Sequence, residues 1–226
     1  ESIAGNLKDL LLFLICRNKL SSLYLHLHGG SLERLVFRAN KLLHMINRYF
    51  VSRTAGVIIL GQSHTGIYSD FVDSTKIHIV PNFAEDCYSS SIPSIQEKFR
   101  SLRPLRILYL SNLITGKGYE FLLEGFILLN EEYRRRIEIV FAGEFGSSNE
   151  RDDFLSKISS YDQLHYMGFV SGEAKKELLE RSHILCLPSY LFEGQPICIL
   201  EGYRAGCAVV TTGKGGISDV FVEGTN

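Results

Sequence analysis

The sequence predicts an α/β fold in which two domains are each built on a parallel sheet. Short apolar runs alternate along the chain with longer amphipathic segments, the pattern of buried strands joined by helices. The stretch from Pro81 to Pro104 breaks this alternation with prolines, serines and polar residues, a composition typical of a connection between domains. The 226 residues suffice for one large or two small domains.

The apolar runs give eight candidate strands. They are Leu23–Leu27, Gly56–Leu60, Lys76–Val80, Arg106–Leu110, Ile137–Ala142, Leu164–Met167, Ile184–Leu187 and Ala208–Thr211. The amphipathic segments predict helices near 31–52, 62–72, 117–130, 150–160, 172–181 and 196–205. No repeat of 20–50 residues and no low-complexity tract interrupts this series.

We therefore predict three parts in the chain. Residues 1–82 form the C-terminal part of one α/β domain, 83–104 the linker, and 105–226 most of a second α/β domain. The sequence opens at Glu1, inside a predicted helix, and ends in turn-forming residues at Gly224-Thr225-Asn226. We expect from this that the sequence is a fragment, truncated at both ends.

Composition excludes several classes of protein. The 24 Lys and Arg residues balance 25 Asp and Glu residues, for a formal net charge of −1, so the chain lacks the basic excess of a nucleic-acid-binding protein. The five cysteines include no C-x-x-C pair, which argues against a zinc site and favours buried, reduced thiols. The apolar run Leu10–Cys16 is far shorter than the ~20 residues of a membrane-spanning helix, and we interpret it as the buried side of a helix.

The first candidate site follows the strand Arg106–Leu110, because ligands of parallel sheets bind beyond the carboxyl ends of the strands. There the loop Ser111–Gly118 places Lys117 between two glycines at the start of a predicted helix. Glycines permit close backbone approach, and helix amides and an ammonium group favour an anion such as phosphate. The loop lacks the Walker A pattern, and an exposed turn lysine is the alternative interpretation.

The second candidate site follows the strand Ile184–Leu187. A loop carries Glu193-Gly194, Pro196 suits the first position of a helix, and Glu201 then lies among apolar helical residues. A carboxylate in such surroundings is costly unless a partner satisfies it, and sugar hydroxyls are suitable donors. The alternatives are an ion pair of Glu201 with Arg204 or another buried cation, and a solvated loop position for Glu193.

Two further segments carry candidate residues. Alternation in Leu23–Leu27 places His26 and His28 on one face of a strand, with His28 at its carboxyl end beside Gly29-Gly30; structural histidines are the alternative. The segment Gly213–Asp219 is rich in glycine, which permits close approach of backbone to a ligand and equally suits a surface turn.

Taken in order, these residues resemble family 4 glycosyltransferases, which are retaining enzymes of the GT-B fold with two Rossmann-like domains. The resemblance covers roughly residues 20–226 and centres on an E-x7-E element, Glu193 to Glu201, which follows a Leu-Pro-Ser strand end. Further matches are His28-Gly29-Gly30, Pro81-Asn82, Lys117-Gly118, Phe141-Ala142-Gly143-Glu144, Met167-Gly168-Phe169-Val170 and Gly215-Gly216-Ile217.

The resemblance implies a role for each matching position. Lys117 and Gly118 would bind the donor diphosphate, Glu201 the ribose hydroxyls, and Phe169 and Val170 would frame the base. Glu193 would contact the transferred sugar, and His28 would reach the reacting sugar from the other domain. The backbone around the remaining positions would lie near the sugar and phosphate; these are Gly194, Gln195, Pro196 and Ile197.

Two positions depart from the family pattern. Asn112 stands where the family commonly has an arginine on the diphosphate, so bidentate guanidinium contact would be lost, although Asn112 can still donate to a phosphate oxygen. Ser218-Asp219 follows the Gly-Gly-Ile motif where glutamate is usual.

The resemblance implies transfer of a sugar from a nucleotide-diphosphate sugar, UDP-sugar before GDP-sugar, to an acceptor hydroxyl with retention and without a metal or other cofactor. The acceptor would be a surface glycan or its lipid carrier, which implies a cytoplasmic protein with peripheral association at the inner face of the membrane. The alternatives are an inactive nucleotide-sugar-binding module and a sugar-nucleotide epimerase of the same fold. As a truncated chain, it is expected to be incomplete as a catalyst.

Overall fold

The computed structural model describes residues 3–224, and the chain divides into two compact units. One unit comprises Glu1–Asn82, Leu191–Pro196 and Gly213–Phe221, and the other comprises Phe83–Tyr190, Ile197–Thr212 and Val222–Asn226. Glu1, Ser2, Thr225 and Asn226 lie outside the described residues, and so do the features predicted at those chain ends.

The first unit is built on a parallel sheet of three short strands in the order β1-β2-β3. These are β1 (Tyr24–His26), β2 (Gly56–Ile59) and β3 (Ile77–Ile79). Leu25 is in register with Val57, and Val57 with Ile77. All three strands lie within the ranges predicted from the apolar runs.

Helices of the first unit share a hydrophobic core with this sheet. They are α1 (Ile3–Ile15), α2 (Lys41–Val51) and α3 (Thr65–Tyr68). The rings of Phe13 and Phe50 stack with centroids 5.6 Å apart, and those of Phe37 and Phe71 lie 4.6 Å apart. All four of these aromatic residues belong to one hydrophobic core, to which both α1 and α2 contribute.

Two helix predictions in this unit were wrong in extent. The segment 31–52 is not one helix: a five-residue π-helix, Glu33–Phe37, precedes α2, and Asn40 caps α2 by accepting hydrogen bonds from its first amides. A side chain that satisfies those amides starts a new helix. The segment 62–72 holds only a 3-10 turn and the single turn α3.

The apolar run in α1 is only partly buried. Leu10 and Phe13 face the core, whereas Leu11 and Ile15 are 59% and 71% exposed. The interpretation of Leu10–Cys16 as the buried side of a helix was therefore wrong for four of its seven residues, since Leu12 and Leu14 are exposed as well. No helix between Ile3 and Gly224 combines the length and apolar character needed to cross a membrane.

The second unit contains a five-stranded parallel sheet in the order β6-β5-β4-β7-β8. The strands are β4 (Leu105–Leu110), β5 (Ile137–Ala142), β6 (Leu164–Gly168), β7 (Ile184–Leu187) and β8 (Ala208–Thr211). Their helices are α4 (Ile92–Lys98), α5 (Tyr119–Leu128), α6 (Glu131–Arg134), α7 (Ser148–Ile158), α8 (Gly172–Arg181) and α9 (Ile197–Arg204). Each predicted strand and helix of this region is present, with its ends shifted by at most two residues, and α4 and α6 are additional.

The segment 83–104, predicted as a linker, holds ordered structure that clusters with the second unit. Ser91 caps α4 by accepting from the amide of Ser94, and Lys98 at the end of α4 donates to the carbonyl of Ala205 at 2.7 Å. The buried imidazole of His183 accepts from the amide of Arg106 and contacts the carbonyl of Lys98, each at 2.9 Å. Because that carbonyl can only accept, Nε2 of His183 carries the proton.

All five cysteines lie within residues 3–224, and none of them forms a disulfide bond. Cys186 and Cys207 are buried, as predicted, but Cys87 is exposed and Cys16 and Cys198 are half-buried. Burial raises the pKa of Cys186 to about 12, so its thiol is protonated and unreactive at neutral pH.

Candidate functional site

The order of the strands reverses at β4, in the middle of the second unit's sheet. The chain runs outward from β4 through β5 to β6, then returns to β7 on the other side of β4. Open parallel sheets bind ligands where the strand order reverses, beyond the carboxyl ends of the strands. The loop after β4, which holds Lys117, and the residues after β7 flank this point.

The loop Ser111–Gly118 is fixed in place by backbone contacts. Gly116 and Gly118 have φ of 100° and 83°, the left-handed region that favours glycine. The amide of Tyr190 donates to the carbonyl of Gly116 at 2.9 Å. A Cβ on Gly118 would lie 2.2 Å from the carbonyl oxygen of Pro188, so only glycine permits this approach of the loop to the end of β7.

Lys117 is half-buried and immediately precedes the N-cap of α5, Gly118. Glycine has no side chain with which to bond the first amides of α5, so those donors and the positive end of the helix dipole point toward the loop. With the neighbouring ammonium group, this arrangement suits an oxyanion. Asn112, the position of the missing arginine, is exposed, and its carbonyl accepts from the hydroxyl of Tyr109 at 3.1 Å.

Glu201 is buried in α9 with only 4% of its surface exposed, and Lys175 of α8 provides its charge partner. The Lys175 ammonium lies 2.5 Å from Oε1 of Glu201 and 4.8 Å from the ring centroid of Tyr88. Arg204 instead pairs with Asp86. The structure therefore pairs Glu201 with a half-buried cation, Lys175, and not with Arg204. This pair makes the burial of the carboxylate tolerable.

Phe169 lies at the carboxyl end of β6 beside an open cavity of about 290 Å³. Phe169 is 69% exposed, Val170 is half-buried, and Gly168 before them has φ of 66°. The cavity is also lined by Glu144, Phe145, Ser147, Ser148, Arg151 and Tyr166. An aromatic ring beside polar groups suits a planar base. No sequence motif marked Arg151, because it lies inside α7.

The loop Leu191–Pro196 belongs to the first unit, and its backbone is held by residues of that unit. The carbonyl of Glu193 accepts from the amide of Gly216 at 3.0 Å and from Nε2 of His64 at 3.2 Å. A Cβ on Gly216 would lie 2.0 Å from the carbonyl oxygen of Gly194. The glycines of the segment Gly213–Asp219 thus permit the close approach of this loop's own backbone.

His64, which sequence analysis missed, is buried and connects this loop to Asp219. Its Nδ1 lies 3.0 Å from the hydroxyl of Ser63, and that hydroxyl donates to Asp219 at 2.6 Å. Because a carbonyl oxygen only accepts, the contact with Glu193 requires a proton on Nε2. Asp219, noted as a departure from the family pattern, therefore helps to position the Glu193 backbone through Ser63 and His64.

Gln195 is buried, and its polar groups bond Asn82. Its side-chain oxygen accepts from the amide of Asn82 at 2.9 Å, and its carbonyl accepts from the Asn82 side chain at 2.8 Å. Both of these bonds use acceptor atoms of Gln195. Pro196 has no amide hydrogen, and Ile197 begins α9.

His26 and His28 share one face, as the alternation predicted, with ring centroids 4.0 Å apart. Both are exposed. Desolvation of the His26 imidazole holds its pKa below the ordinary value, and the neighbouring His28 lowers the pKa of His26 further. A Cβ on Gly194 would lie 2.3 Å from the carbonyl oxygen of His28, so the backbones at His28 and Glu193-Gly194 meet within this unit.

Within residues 3–224, no group of three or more His, Cys, Asp and Glu side chains is arranged to hold a metal ion. The predicted independence from metal stays a prediction.

Residues 91–226, more than half of the chain, match the family described as Glycosyl transferases group 1. The chain belongs to this family. The matched region contains the loop of Lys117, the cavity beside Phe169 and the E-x7-E element. The assignment agrees with the broader prediction of a glycosyltransferase.

Two curated glycosyl transferases resemble the chain over most of its length. An uncharacterized glycosyltransferase of Methanocaldococcus jannaschii, MJ1069, is 24% identical over 88% of this chain and 52% of its own. The lipopolysaccharide 1,2-N-acetylglucosaminetransferase of Salmonella typhimurium is 24% identical over 82% of this chain and 52% of its own. The chain therefore spans about half the length of these relatives.

A solved structure confirms the GT-B fold. The crystal structure of Anabaena Alr3699/HepE in complex with UDP-glucose has a TM-score of 0.74 and 17% identity, covering 99% of this chain and 61% of its own. At that identity the likeness concerns the fold. The prediction of two Rossmann-like α/β domains of GT-B type is thus confirmed.

Proposed function

We propose that this protein is a retaining glycosyltransferase of the family 4 type, which moves a sugar from a nucleotide-diphosphate sugar to an acceptor hydroxyl. One observation carries the proposal: the loop of Lys117 lies at the strand-order reversal of a group 1 glycosyl transferase sheet. Fixed glycines hold this loop at the start of α5, where charge on a leaving diphosphate is best stabilised.

In the proposed reaction the bond between the anomeric carbon and the phosphate oxygen breaks, and the electron pair stays with the nucleoside diphosphate. Lys117 and the first amides of α5 stabilise that charge. The acceptor oxygen attacks from the face that the diphosphate leaves, and its proton passes to a phosphate oxygen. This scheme requires no metal.

The nucleoside occupies the second unit in this proposal. Phe169 and Val170 frame the base beside the cavity lined by Arg151 and Tyr166. Glu201 accepts hydrogen bonds from the ribose hydroxyls: its ion pair with Lys175 uses Oε1, and a carboxylate has about four lone-pair sites. The ion pair therefore leaves Glu201 able to accept.

Residues of the first unit act on the transferred sugar. Glu193 and the amides of Gly194 and Gln195 contact its hydroxyls, with Ile197 adding an amide from the start of α9. His28 contacts the reacting sugar. The bonds from His64 and Gly216 to the Glu193 carbonyl support this role, because they fix the loop before a substrate arrives.

UDP-sugar is the favoured donor and GDP-sugar the second. The UDP-glucose complex of HepE supports this choice. The Salmonella lipopolysaccharide transferase supports an acceptor in surface polysaccharide or glycolipid biosynthesis. A lipid-linked acceptor would bring the protein to the cytoplasmic face of a membrane.

The test measures nucleotide release from UDP- and GDP-sugars, with and without glycan acceptors, for the wild type and Lys117→Met. We expect acceptor-dependent release of UDP and a loss of about 10²–10³-fold in kcat for Lys117→Met. Lys157→Met is the matched control, because Lys157 pairs with Asp153 on the exposed surface of α7.

The outcomes separate the alternatives. Binding of the donor sugar nucleotide without any release of nucleotide would favour an inactive binding module. Release of UDP with altered stereochemistry of the sugar, and without an acceptor, would favour an epimerase. Equal rates for Lys117→Met and Lys157→Met would refute the role of Lys117.

A further inference from the structure

A second open cavity, of about 340 Å³, lies in the first unit and takes no part in the proposed donor site. Its lining consists of Glu33, Arg34, Arg38 and Phe192. Two guanidinium groups, one carboxylate and one aromatic ring therefore face the same space. Neither the sequence motifs nor the donor chemistry assigns these residues a role.

The π-helix Glu33–Phe37 creates the charged wall of this cavity. The amide of Arg38 donates to the carbonyl of Glu33 at 2.8 Å, the i to i+5 bond that defines a π turn. The same turn brings their side chains together, with Arg38 Nε 2.8 Å from Glu33 Oε1. In an α-helix of 3.6 residues per turn, residues five apart do not share a face. Single π turns are frequent at functional sites.

The charge of Arg34 is not neutralised within the part of the chain that the structure describes. Its guanidinium lies 4.6 Å from the ring centroid of Phe192, and no carboxylate of residues 3–224 pairs with it. Arg38 is paired with Glu33, but its side chain is 76% exposed, so the pair is weak and open to competition from another anion. The lining therefore carries a net charge of +1.

This cavity adjoins the backbone that carries the reactive residues of the same unit. The hydroxyl of Ser31 donates to the carbonyl of Phe192 at 3.3 Å. A Cβ on Gly30 would lie 2.5 Å from the carbonyl oxygen of Glu193. The cavity thus sits against the short segments that bear His28 and Glu193, the two residues placed at the transferred sugar.

We propose that this cavity binds an anionic group, a phosphate or a carboxylate, on the acceptor sugar. The guanidinium groups of Arg34 and Arg38 donate hydrogen bonds to the oxyanion, and the ring of Phe192 packs against the sugar. A neutral glycan fits less well, because it leaves the net positive charge of the lining without a counter-charge. The acceptor role rests on the proposed function.

The first experiment measures binding in the absence of any donor. Glucose 6-phosphate, glucuronate, inorganic phosphate and glucose are titrated into the protein, and binding is followed by the NMR signal of the Arg34 guanidinium. We expect both anionic sugars to bind more tightly than glucose and than inorganic phosphate. Equal affinities for glucose and glucose 6-phosphate would overturn the anion site, and equal affinities for inorganic phosphate and glucose 6-phosphate would overturn the role of Phe192.

Three variants, followed by ligand-observed NMR, test the charges. Arg34→Gln should weaken binding of glucose 6-phosphate roughly tenfold, which is the loss of affinity expected when one charge-assisted hydrogen bond is removed. Glu33→Gln should strengthen it, because the competing carboxylate is removed. Arg53→Gln is the matched control, since Arg53 also lies over a ring, that of Tyr49 at 3.7 Å, but outside the cavity. Equal effects of Arg34→Gln and Arg53→Gln would contradict the proposal.

The acceptor role is tested separately by transfer kinetics. Acceptors that carry a phosphate or carboxylate should have a lower KM than their neutral counterparts, and Arg34→Gln should remove that difference without raising the KM for the UDP-sugar. No preference for anionic acceptors would overturn the acceptor role. Failure of the proposed function would instead appear as absence of UDP release from every donor, whatever the titrations show.

Discussion

The ammonium group of Lys175 lies 2.5 Å from Oε1 of Glu201, a carboxylate that is 95% buried at its side chain. The pair joins α8 to α9. It explains how a carboxylate persists among apolar neighbours before any ribose is bound. In the proposed donor complex Glu201 therefore serves the fold and the ligand together, and the two roles can be measured apart.

The first prediction concerns the stability of this ion pair. Lys175→Met should lower the free energy of unfolding by about 3 kcal/mol, because it leaves a buried carboxylate without its cation. The double variant Lys175→Met/Glu201→Leu should recover much of this loss, since apolar replacements of a whole buried pair are often neutral. Urea denaturation measures both values.

Lys176→Met is the control for this prediction. Lys176 pairs with Glu173 on the exposed side of the same helix at 3.8 Å, and such a pair contributes at most about 0.5 kcal/mol. Equal losses for the Lys175 and Lys176 variants would show that the buried pair does not stabilise the protein.

The second prediction compares two glycines on either side of the start of α5. Gly118→Ala should lower the free energy of unfolding by more than about 1 kcal/mol and weaken donor binding, because φ is 83° and the new methyl would meet Pro188. Gly125 lies at an exposed position within the same helix, where a new Cβ would have no atom within 4 Å. Gly125→Ala should therefore raise the free energy of unfolding by about 0.5–1 kcal/mol. A neutral Gly118→Ala in thermal and urea unfolding would be inconsistent with the fixed loop.

The third prediction concerns His64 as a positioning residue for the Glu193 loop. His64→Ala removes the donor to the Glu193 carbonyl and should lower kcat more than it raises the KM for the donor. His64→Gln retains an N–H donor and should restore part of kcat. If the alanine and glutamine variants have the same kinetics, the hydrogen bond at 3.2 Å has no role in positioning.

The fourth prediction follows from the raised pKa of Cys186, about 12 in the folded protein against ~8.5 for a free thiol. As pH rises, the Cys186 thiol loses its proton in the unfolded state before it does so in the folded state. The contribution of this thiol to the stability of the fold is therefore complete below pH ~8.5 and declines as pH rises toward 12. Its slope is at most about 1.4 kcal/mol per pH unit. Between pH 8 and pH 10, the free energy of unfolding in urea should decrease less for Cys186→Ala than for the wild type. Identical decreases would rule out a contribution of Cys186.

Much of the fold was predictable because buried parallel strands leave a local signal. The runs Ile137–Ala142, Ile184–Leu187 and Ala208–Thr211 were predicted with the ends that the structure gives, since each is a short, predominantly apolar stretch. The π turn at Glu33–Phe37 left no such signal, because hydrophobic periodicity does not distinguish it from an α-helix. Asn40, an N-cap residue type, did mark the true start of α2.

The sequence predicted which residues belong to the candidate site but not which residues they contact in the folded protein. Lys117, Glu193 and Glu201 follow strands, and their spacing carried the family resemblance. Lys175 lies 26 residues before Glu201, and His64 lies 129 residues before Glu193. Such pairs depend on tertiary packing, which local patterns do not encode.

The most direct test of the account is calorimetric titration of UDP and UDP-glucose into the wild type, Glu201→Gln and the control Glu173→Gln, whose carboxylate is exposed on α8. The account predicts that Glu201→Gln weakens binding roughly tenfold or more, the value of hydrogen bonds to a charged acceptor, while Glu173→Gln leaves it unchanged. Wild-type affinity in Glu201→Gln would contradict the placement of the nucleoside at Glu201.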